Sequence, residues 1–337
     1  MRPVLTPAAR RLWRGTHTLQ LCLTPARGVL LEGLDDGTRR LLTLLDGAHT
    51  REQVLDAAGA AGCSAPAQAL AVLEEAGLVV DADDLQVPLP DRADRLRLAP
   101  DAAALALHRD ATPAERLRAR HAARVVVHGG GRVGGPLAAL LCEAGVGNVD
   151  LRDPAETGWE DLAVGGLRAG DVGQPRGAAL SRHLRPAAGT ARPTLVVLTE
   201  EVPEQLARVL VRDGVPHLAA RTSGLVGVVG PLVLPGRSTC LRCVALVQAA
   251  IDPDWPHLVA YDEPGPRGVE PAHGVLAAAV ASQAALQVLE LVEGDRPASV
   301  GGTLELELPG WQWRRRSWPA HPGCDCDAVQ GRLAASA

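Results

Sequence analysis

Four of the seven cysteines fall in two close pairs, Cys240 with Cys243 and Cys324 with Cys326. If the pairs meet in space, they form a closed tetrahedral thiolate site, which is typical of structural zinc. A redox C-x-x-C is the alternative for the first pair. We disfavour it because the pair follows a strand-like segment, GPLVLPGRS, and is not expected to open a helix. Disulfides are disfavoured in a chain that we expect in a reducing compartment.

A glycine-rich turn is the second feature that could do chemistry. The β-branched run at 123–128 is typical of a buried parallel strand and leads into Gly129, Gly131 and Gly134, which satisfy G-x-G-x-x-G before an apolar helix. Such a loop lets the backbone approach a phosphate, and the helix N-terminus supplies N–H donors. The spacing predicts a nucleotide-binding loop.

The next strand, NVDLRD, ends at Asp153. An acidic residue about 20 positions beyond the loop is placed to bind ribose hydroxyls. The loop and Asp153 together indicate an adenine nucleotide or a dinucleotide. A Rossmann domain that binds no nucleotide is the alternative, because a fold does not determine a function.

A C-terminal hairpin is expected to bring the cysteine pairs together. TLELELPG and WQWRRRSW alternate apolar and polar residues, which predicts two strands followed directly by the second pair. We interpret the Arg-Trp cluster as an amphipathic edge strand and assign it no nucleic-acid role.

Residues 1–85 have the pattern of a small α+β domain. Apolar runs at 17–23 and 28–34 predict a β-hairpin, and 35–47 predicts a short helix. Thr50 and Gln53 form a capping box for a second helix. Ser64 is predicted to cap a third helix, which ends at Gly77 before a strand at 78–80.

The segment from LDGAHTREQVLDAAG to VLEEAGLV resembles the PqqD-like peptide-recognition module, a winged-helix fold. The resemblance implies that residues 1–85 bind the leader segment of a precursor peptide by adding it as an extra strand. A DNA-binding winged helix and a purely structural cap are the alternatives. Residues 86–122 are interpreted as a linker with an approach helix in PAERLRARHAA.

Composition narrows the classes of partner. The chain has 337 residues and a net charge of −5, so we expect neither nucleic acid nor a membrane surface as partner. No apolar run is expected to span a bilayer, and the first residues lack the apolar region of a signal peptide. We therefore expect a cytoplasmic protein. All 34 basic residues are arginine, which excludes lysine chemistry.

From residue 115 to 330 the chain resembles the ThiF/MoeB superfamily, relatives of ubiquitin-activating enzymes. The resemblance rests on ARVVVHGGGRVGGPLAALLCEAGVGNVDLRD, DVGQPR, PHLAARTSGLVGVVGPLVLPGRSTCLRC and the last cysteine pair. It implies an α/β domain at 123–337: a Rossmann-like mixed sheet with helices on both faces, a four-cysteine zinc site and often a homodimer. It also implies adenylation of a carrier protein's C-terminal carboxylate by ATP with magnesium.

The family's functional residues carry over in part. Gly129, Gly131 and Gly134 match its phosphate loop, and Asp153 its ribose-binding acid. Asp161-Leu-Ala-Val replaces an Asn-Leu-x-Arg segment, so two polar groups are lost. Arg176 stands at the position of a lysine. Further matches are approximate: Glu200 or Glu201 for a magnesium-binding aspartate, and Arg118 or Arg120 for an approach arginine.

Two functions follow from this pattern. In the first, the ATP site is degenerate, and the protein binds a precursor peptide or a ubiquitin-like carrier and presents it to a modifying partner enzyme. HPGCDC resembles the C-terminus of such relatives in azoline-forming pathways. In the second, it is an active ATP-dependent adenylyltransferase that uses Arg176 and a glutamate. An NAD(P) oxidoreductase fits the loop and Asp153, but not the cysteine pairs.

Overall fold

The computed structural model describes residues 1–7, 9–22, 28–108, 110–182, 184, 192–200, 204–260 and 271–326. The chain divides into two compact units, Met1–Ala119 and Arg120–Ala337. The domain boundaries that the sequence predicts, after residues 85 and 122, stay predictions.

The first unit is a small α+β domain with two separate sheets. Its secondary-structure elements are β1 (Pro3–Leu5), β2 (Arg11–Trp13), β3 (Leu19–Leu21), β4 (Val29–Leu31), α1 (Asp36–Leu44), α2 (Arg51–Ala60), α3 (Pro66–Glu75) and β5 (Val79–Asp81). β2, β3 and β4 form an antiparallel sheet, and β5 pairs with β1. The predicted hairpin is therefore confirmed as β3 and β4, although its turn lies outside the described residues.

Helix capping in this unit agrees with the sequence-based prediction at α2 and differs from it at α3. The capping box of Thr50 and Gln53 at the start of α2 is confirmed. The prediction that Ser64 caps α3 is wrong, because the helix begins one residue later than expected. Ala65 is its N-cap, and Pro66 occupies the first helical position, where the proline has no N–H that a cap would need to satisfy.

The segment expected to be a linker contains more structure than predicted. Beyond β5, the chain forms three helices, α4 (Arg92–Arg97), α5 (Ala99–Leu105) and α6 (Pro113–Ala122). Six apolar residues from this segment are buried together: Val87, Leu89, Leu98, Ala102, Leu105 and Leu117. α6 confirms the predicted approach helix, whereas the polar composition concealed α4 and α5 because they are short.

A seven-stranded mixed sheet forms the centre of the second unit. Its strands are β6 (Arg124–His128), β7 (Asn148–Arg152), β8 (Leu195–Leu198), β9 (His217–Ser223), β10 (Val226–Val233), β11 (Gly302–Glu307) and β12 (Trp313–Ser317). The spatial order is β12-β11-β10-β9-β8-β6-β7. From β7 to β9 the strands are parallel, and from β9 to β12 they are antiparallel. The predicted C-terminal hairpin is confirmed, with β12 at the sheet edge.

Helices cover both faces of this sheet. The helices are α7 (Gly134–Glu143), α8 (Arg176–Ser181), α9 (Glu204–Arg212), α10 (Leu241–Ile251), α11 (Trp255–Ala260) and α12 (Gly274–Val292). Val125 and Val127 of β6 are buried with α7, α8 and α12, whereas Val126 is buried with residues of α9 and α10. Because neighbouring strand residues point to opposite faces, this alternation confirms the predicted Rossmann-like fold class.

α12 corrects one expectation. It has 19 residues and a window of mean hydropathy 1.8, so it is long and apolar enough to cross a membrane. The prediction of no such segment is wrong, because scattered Ser, Gln and Glu residues barely lower the average. Nine residues of α12 are nevertheless buried, and the helix packs on α7, β9 and β10. The apolar residues of α12 therefore form part of the hydrophobic core of the second unit.

A buried ion pair joins Arg120, the first residue of the second unit, to Glu293 at the end of α12. Arg120 Nε donates to Glu293 Oε1 over 2.6 Å, and both side chains are about 6% exposed. Arg120 also donates to the Ala144 carbonyl oxygen over 3.0 Å. Both charged groups are buried away from water, so each is stabilised by the opposite charge of the other.

We expect Glu293→Gln to lower the free energy of unfolding by about 3 kcal/mol, because it removes a negative charge that accepts a 2.6 Å hydrogen bond from a buried guanidinium. Glu204→Gln is the matched control, since Glu204 pairs with Arg208 at the surface and its loss costs about 0.5 kcal/mol or less. Urea unfolding of both variants is the measurement. Equal midpoints would contradict the interpretation.

Candidate functional site

Two positions of the glycine loop require glycine, Gly129 for its backbone conformation and Gly134 for lack of space. Gly129 follows β6 with φ of +97°, and a Cβ there would lie 2.6 Å from Thr199 Oγ1. A Cβ at Gly134, the first residue of α7, would overlap the Gly129 carbonyl oxygen. By contrast, a Cβ on Gly131 would meet only ordinary contacts. Gly129 and Gly134 therefore shape the turn, and Gly131 faces the open side.

Thr199, which the sequence reasoning missed, supports the loop from the neighbouring strand. Its hydroxyl lies 3.0 Å from the carbonyl oxygens of His128 and Gly129. Its position directly after β8 was the available signal, since the carboxyl ends of parallel strands meet at one edge of the sheet.

Asp153 holds the loop through its carboxylate. One oxygen accepts the Gly130 N–H over 2.7 Å, and the other accepts the Ala155 N–H over 2.9 Å. The residue is buried, and it follows β7 as the sequence predicts. Its ribose-binding role stays a prediction.

Arg176 lies at the centre of three carboxylates. Its guanidinium is 2.9 Å from Asp161 Oδ2, 3.2 Å from Glu200 Oε1 and 3.5 Å from Asp153 Oδ2. These four residues are called the Arg176 cluster below. The sequence reasoning noted only what was lost at Asp161, and so missed that this carboxylate is the nearest partner of Arg176. Asp161 also accepts the Gly158 N–H over 2.8 Å.

The Arg176 cluster carries more negative than positive charge, and this excess shifts the pKa values of Glu200 and Arg176. Burial raises the pKa of the Glu200 carboxyl, and repulsion from Asp153 adds to the effect, while Arg176 opposes it. Burial acts to lower the pKa of Arg176, but Asp161, Asp153 and Glu200 outweigh it and raise that pKa. The guanidinium is thus held charged by its neighbours.

The remaining candidates lie elsewhere. Glu201 lies outside the described residues. Arg120 is engaged with Glu293, and Arg118 is exposed on α6 in the first unit. Arg132, in the loop itself, donates to the carbonyl oxygens of Glu160 and Ala272. Among the described residues it has no carboxylate partner.

The four cysteines form a second centre. Their sulfur atoms lie within 4.8 Å of one another, with 3.6 Å between Cys240 and Cys324 and 3.5 Å between Cys243 and Cys326. A tetrahedral metal with bonds of about 2.3 Å to sulfur sets its ligands slightly less than 4 Å apart. Burial raises the pKa of the Cys240 and Cys324 thiols. At Cys243 burial also opposes ionisation, but hydrogen bonds from the backbone outweigh it and lower the pKa of that thiol. A metal cation would favour the thiolate form of all four.

One reason given for the metal interpretation is wrong. The first cysteine pair does open a helix, because Cys240 is the N-cap of α10. The redox alternative is instead disfavoured by the second pair, since a dithiol alone does not need four converging sulfurs. After β12, the Thr239 hydroxyl donates to the Trp318 carbonyl oxygen over 2.7 Å, which fixes the approach of Cys324 and Cys326.

A cavity of about 1260 Å³ lies on the α9 and α10 side of the sheet. Ala219, Val228 and Thr303 contribute to its floor, and α10 provides an apolar wall. Glu200 also lines it, so one part of the cavity meets the Arg176 cluster. The cysteine centre adjoins it through Cys240, Cys324 and Cys326.

Residues 104–207 match the model of the ThiF family. This segment belongs to the ThiF family. The ThiF-family segment includes the glycine loop and all four residues of the Arg176 cluster. No curated protein matches the chain.

Solved structures share the fold over nearly the whole chain. E. coli MccB with ATP has a TM-score of 0.74 at 15% identity, covering 97% of this chain and 99% of that one. E. coli MccB with AMPCPP and MccA gives 0.74 at 14% identity, covering 97% and 100%. PaaA gives 0.61 at 18% identity, covering 75% and 91%. At such identities the likeness establishes the fold alone.

We expect the purified chain to hold about one metal ion at the cysteine centre, because four converging thiolates bind divalent metals tightly. Cys243→Ser should lose at least half of that metal and unfold at a lower temperature. Cys63→Ser is the control, since this buried cysteine belongs to the first unit. Elemental analysis by mass spectrometry is the measurement. Equal metal content in both variants, or none in the parent, would refute the site.

Proposed function

We propose that this protein binds a precursor peptide and presents it to a modifying enzyme in the cytoplasm, with a ThiF-like domain whose ATP site is degenerate. One observation carries the proposal: the guanidinium of Arg176, at the position of the family's lysine, is occupied by three carboxylates of its own chain.

The argument is electrostatic. The Arg176 cluster has three carboxylates and one guanidinium, so the approach of a polyphosphate is opposed by net negative charge. Adenylation depends on cations placed around the phosphates, and each such group typically contributes a factor of about a hundred or more. Here the one cation at the centre already has its partners. The arginine expected after Asp161 is Val164, which is exposed and apolar.

The peptide half of the proposal rests on two features. MccB structures of the same fold have been solved with MccA and with an isoasparagine form of it. The cavity beside the Arg176 cluster offers this chain a space for an extended ligand. We further infer that the first unit acts as a PqqD-like module that adds a leader peptide to the free edge of β4.

We infer that the metal at the cysteine centre is zinc and that its role is structural. Four thiolates in tetrahedral arrangement with no open position are the usual ligands of structural zinc. The residues present fit the ion. Zinc there would fasten the chain after β12 to the start of α10.

An active adenylyltransferase is the second candidate function. Arg132 favours it, since this loop arginine has no carboxylate partner among the described residues and could meet a phosphate. In that case Glu200 and Asp161 would be available to magnesium, and Asp153 to ribose. The oxidoreductase alternative is not carried forward, because the ThiF-family match includes the loop on which it depended.

We expect no ATP–pyrophosphate exchange above background and no saturation by magnesium-ATP below about 1 mM, a weak affinity on the usual scale. Exchange assays and equilibrium dialysis are the measurements. Asp153→Ala is the matched variant, because it removes the carboxylate that holds the loop. Robust exchange that disappears in Asp153→Ala would establish the enzyme and end the degenerate-site proposal.

We expect the full chain to bind a leader peptide, and Leu30→Asp to weaken this binding at least tenfold. Leu30 is the central residue of β4 and is 45% exposed, so a charge there opposes strand addition with apolar contacts. The control is Leu96→Asp, which changes an exposed residue of α4. Fluorescence anisotropy with labelled peptides from the short reading frames beside the gene is the measurement. Unchanged binding in Leu30→Asp would exclude β4 as the docking edge.

A further inference from the structure

The cavity in the second unit has an uneven distribution of charge. Five arginines line it: Arg208, Arg212, Arg221, Arg242 and Arg316. Three of them have a carboxylate of their own in an ion pair. Arg208 pairs with Glu204, Arg212 with Asp213 and Arg242 with Asp325. Within the described part of the chain, Arg221 and Arg316 have no such partner.

The positions of these two arginines follow from strand register. Arg221 of β9 pairs with Val228 of β10, which in turn pairs with Glu305 of β11. Residues opposite each other in a ladder point to the same face. Thr303 lies two residues before Glu305 and pairs with Arg316 of β12. Arg221 and Arg316 therefore project from one face, three strands apart.

Arg316 is held in place by a chain of contacts on the cavity floor. Its guanidinium lies 4.1 Å above the centre of the Trp318 ring. The Trp318 Nε1–H donates to Thr303 Oγ1 over 3.0 Å, and that hydroxyl donates to Glu305 Oε1 over 2.7 Å. Trp318 and Thr303 are both buried. Stacking on a fixed ring orients the guanidinium and leaves its N–H donors free to bind an anion.

The carboxylates that line the cavity do not cancel these two charges. Glu204 and Asp325 belong to ion pairs already described, and Glu200 belongs to the Arg176 cluster. Glu305 is turned onto the Thr303 hydroxyl and lies more than 4 Å from both guanidinium groups. Two positive charges, one of them held by the stacking on Trp318, therefore face a space that an extended chain could enter.

We propose that this cavity selects peptides with two acidic side chains, one bound by Arg221 and the other by Arg316. The inference rests on the proposed function, which assigns the cavity to a peptide, and specifies which peptides it takes. Three strand spacings of about 4.8 Å, combined with an offset of two residues or about 7 Å along the strands, separate the arginines by about 16 Å. An extended peptide advances about 3.3 Å per residue, so the acidic residues are about five positions apart.

The test uses the full chain and two fluorescein-labelled peptides of eight residues. One has glutamate at its second and seventh positions among serine and alanine, and the other has glutamine there. Carboxylate–guanidinium contacts are the strong class of hydrogen bond. We expect the glutamate peptide to bind at least tenfold more tightly in fluorescence anisotropy, with a preference that falls as salt is raised.

Variants identify which residues make the selection. In Arg221→Gln/Arg316→Gln we expect the preference for glutamate to fall to about one. The matched control is Arg92→Gln/Arg168→Gln, which removes the same charge from exposed arginines outside the cavity lining and should keep the preference. Loss of preference in the control as well would overturn the assignment to Arg221 and Arg316.

The remaining outcomes separate this inference from the proposed function. Equal, measurable binding of both peptides overturns acidic selection and leaves peptide binding intact. No binding of either peptide overturns both. The segment 261–270 carries Asp262, Glu263 and Glu270. If Asp262→Asn/Glu263→Gln tightens binding of the glutamate peptide tenfold, the two arginines serve the chain's own acidic segment, and the proposal is wrong.

Discussion

The contact of Arg176 with Asp153, Asp161 and Glu200 is the interaction on which this interpretation depends. Asp153 ties the loop to β7 by accepting the Gly130 N–H, while Asp161 and Glu200 bring the next two segments to the same guanidinium. One cation thus holds together the parts of the sheet edge that a nucleotide would otherwise bridge. Because three carboxylates surround the Arg176 guanidinium, removing its positive charge would leave these carboxylates to repel one another.

Within this one domain, the residues that maintain the loop are distinct from the groups that would act on a nucleotide. The glycines, Thr199 and Asp153 satisfy each other's hydrogen bonds and so maintain the loop without any ligand. In the degenerate-site proposal, the groups that would act on phosphate are engaged or replaced. A Rossmann domain retains its fold under such changes because its stability comes from the buried β-branched strands and the helices packed on them, whereas activity depends on a few exposed charges.

In the antiparallel half of the sheet, too, the residues that stabilise the fold differ from those that would contact a ligand: the cysteine centre serves the first purpose and the arginines of the cavity the second. The thiols connect the end of β12 to the beginning of α10, which form part of the boundary of the cavity. A metal there would stabilise the wall without touching a ligand. Charge in the cavity is then set by which arginines have carboxylate partners, and that depends on pairings across several strands.

The sequence alone determined the elements whose signals are local. The β-branched run with Gly129 and Gly134, the Thr50 capping box and the alternating C-terminal hairpin depend on neighbouring residues, so their positions could be predicted. Residue types also indicated that four thiols would meet. Only the tertiary structure placed Asp161 against Arg176 and Arg120 against Glu293, and left Arg221 and Arg316 without a carboxylate partner among the residues it describes. These pairings join residues far apart in sequence, and a charged side chain looks the same in a sequence whether or not its partner is there.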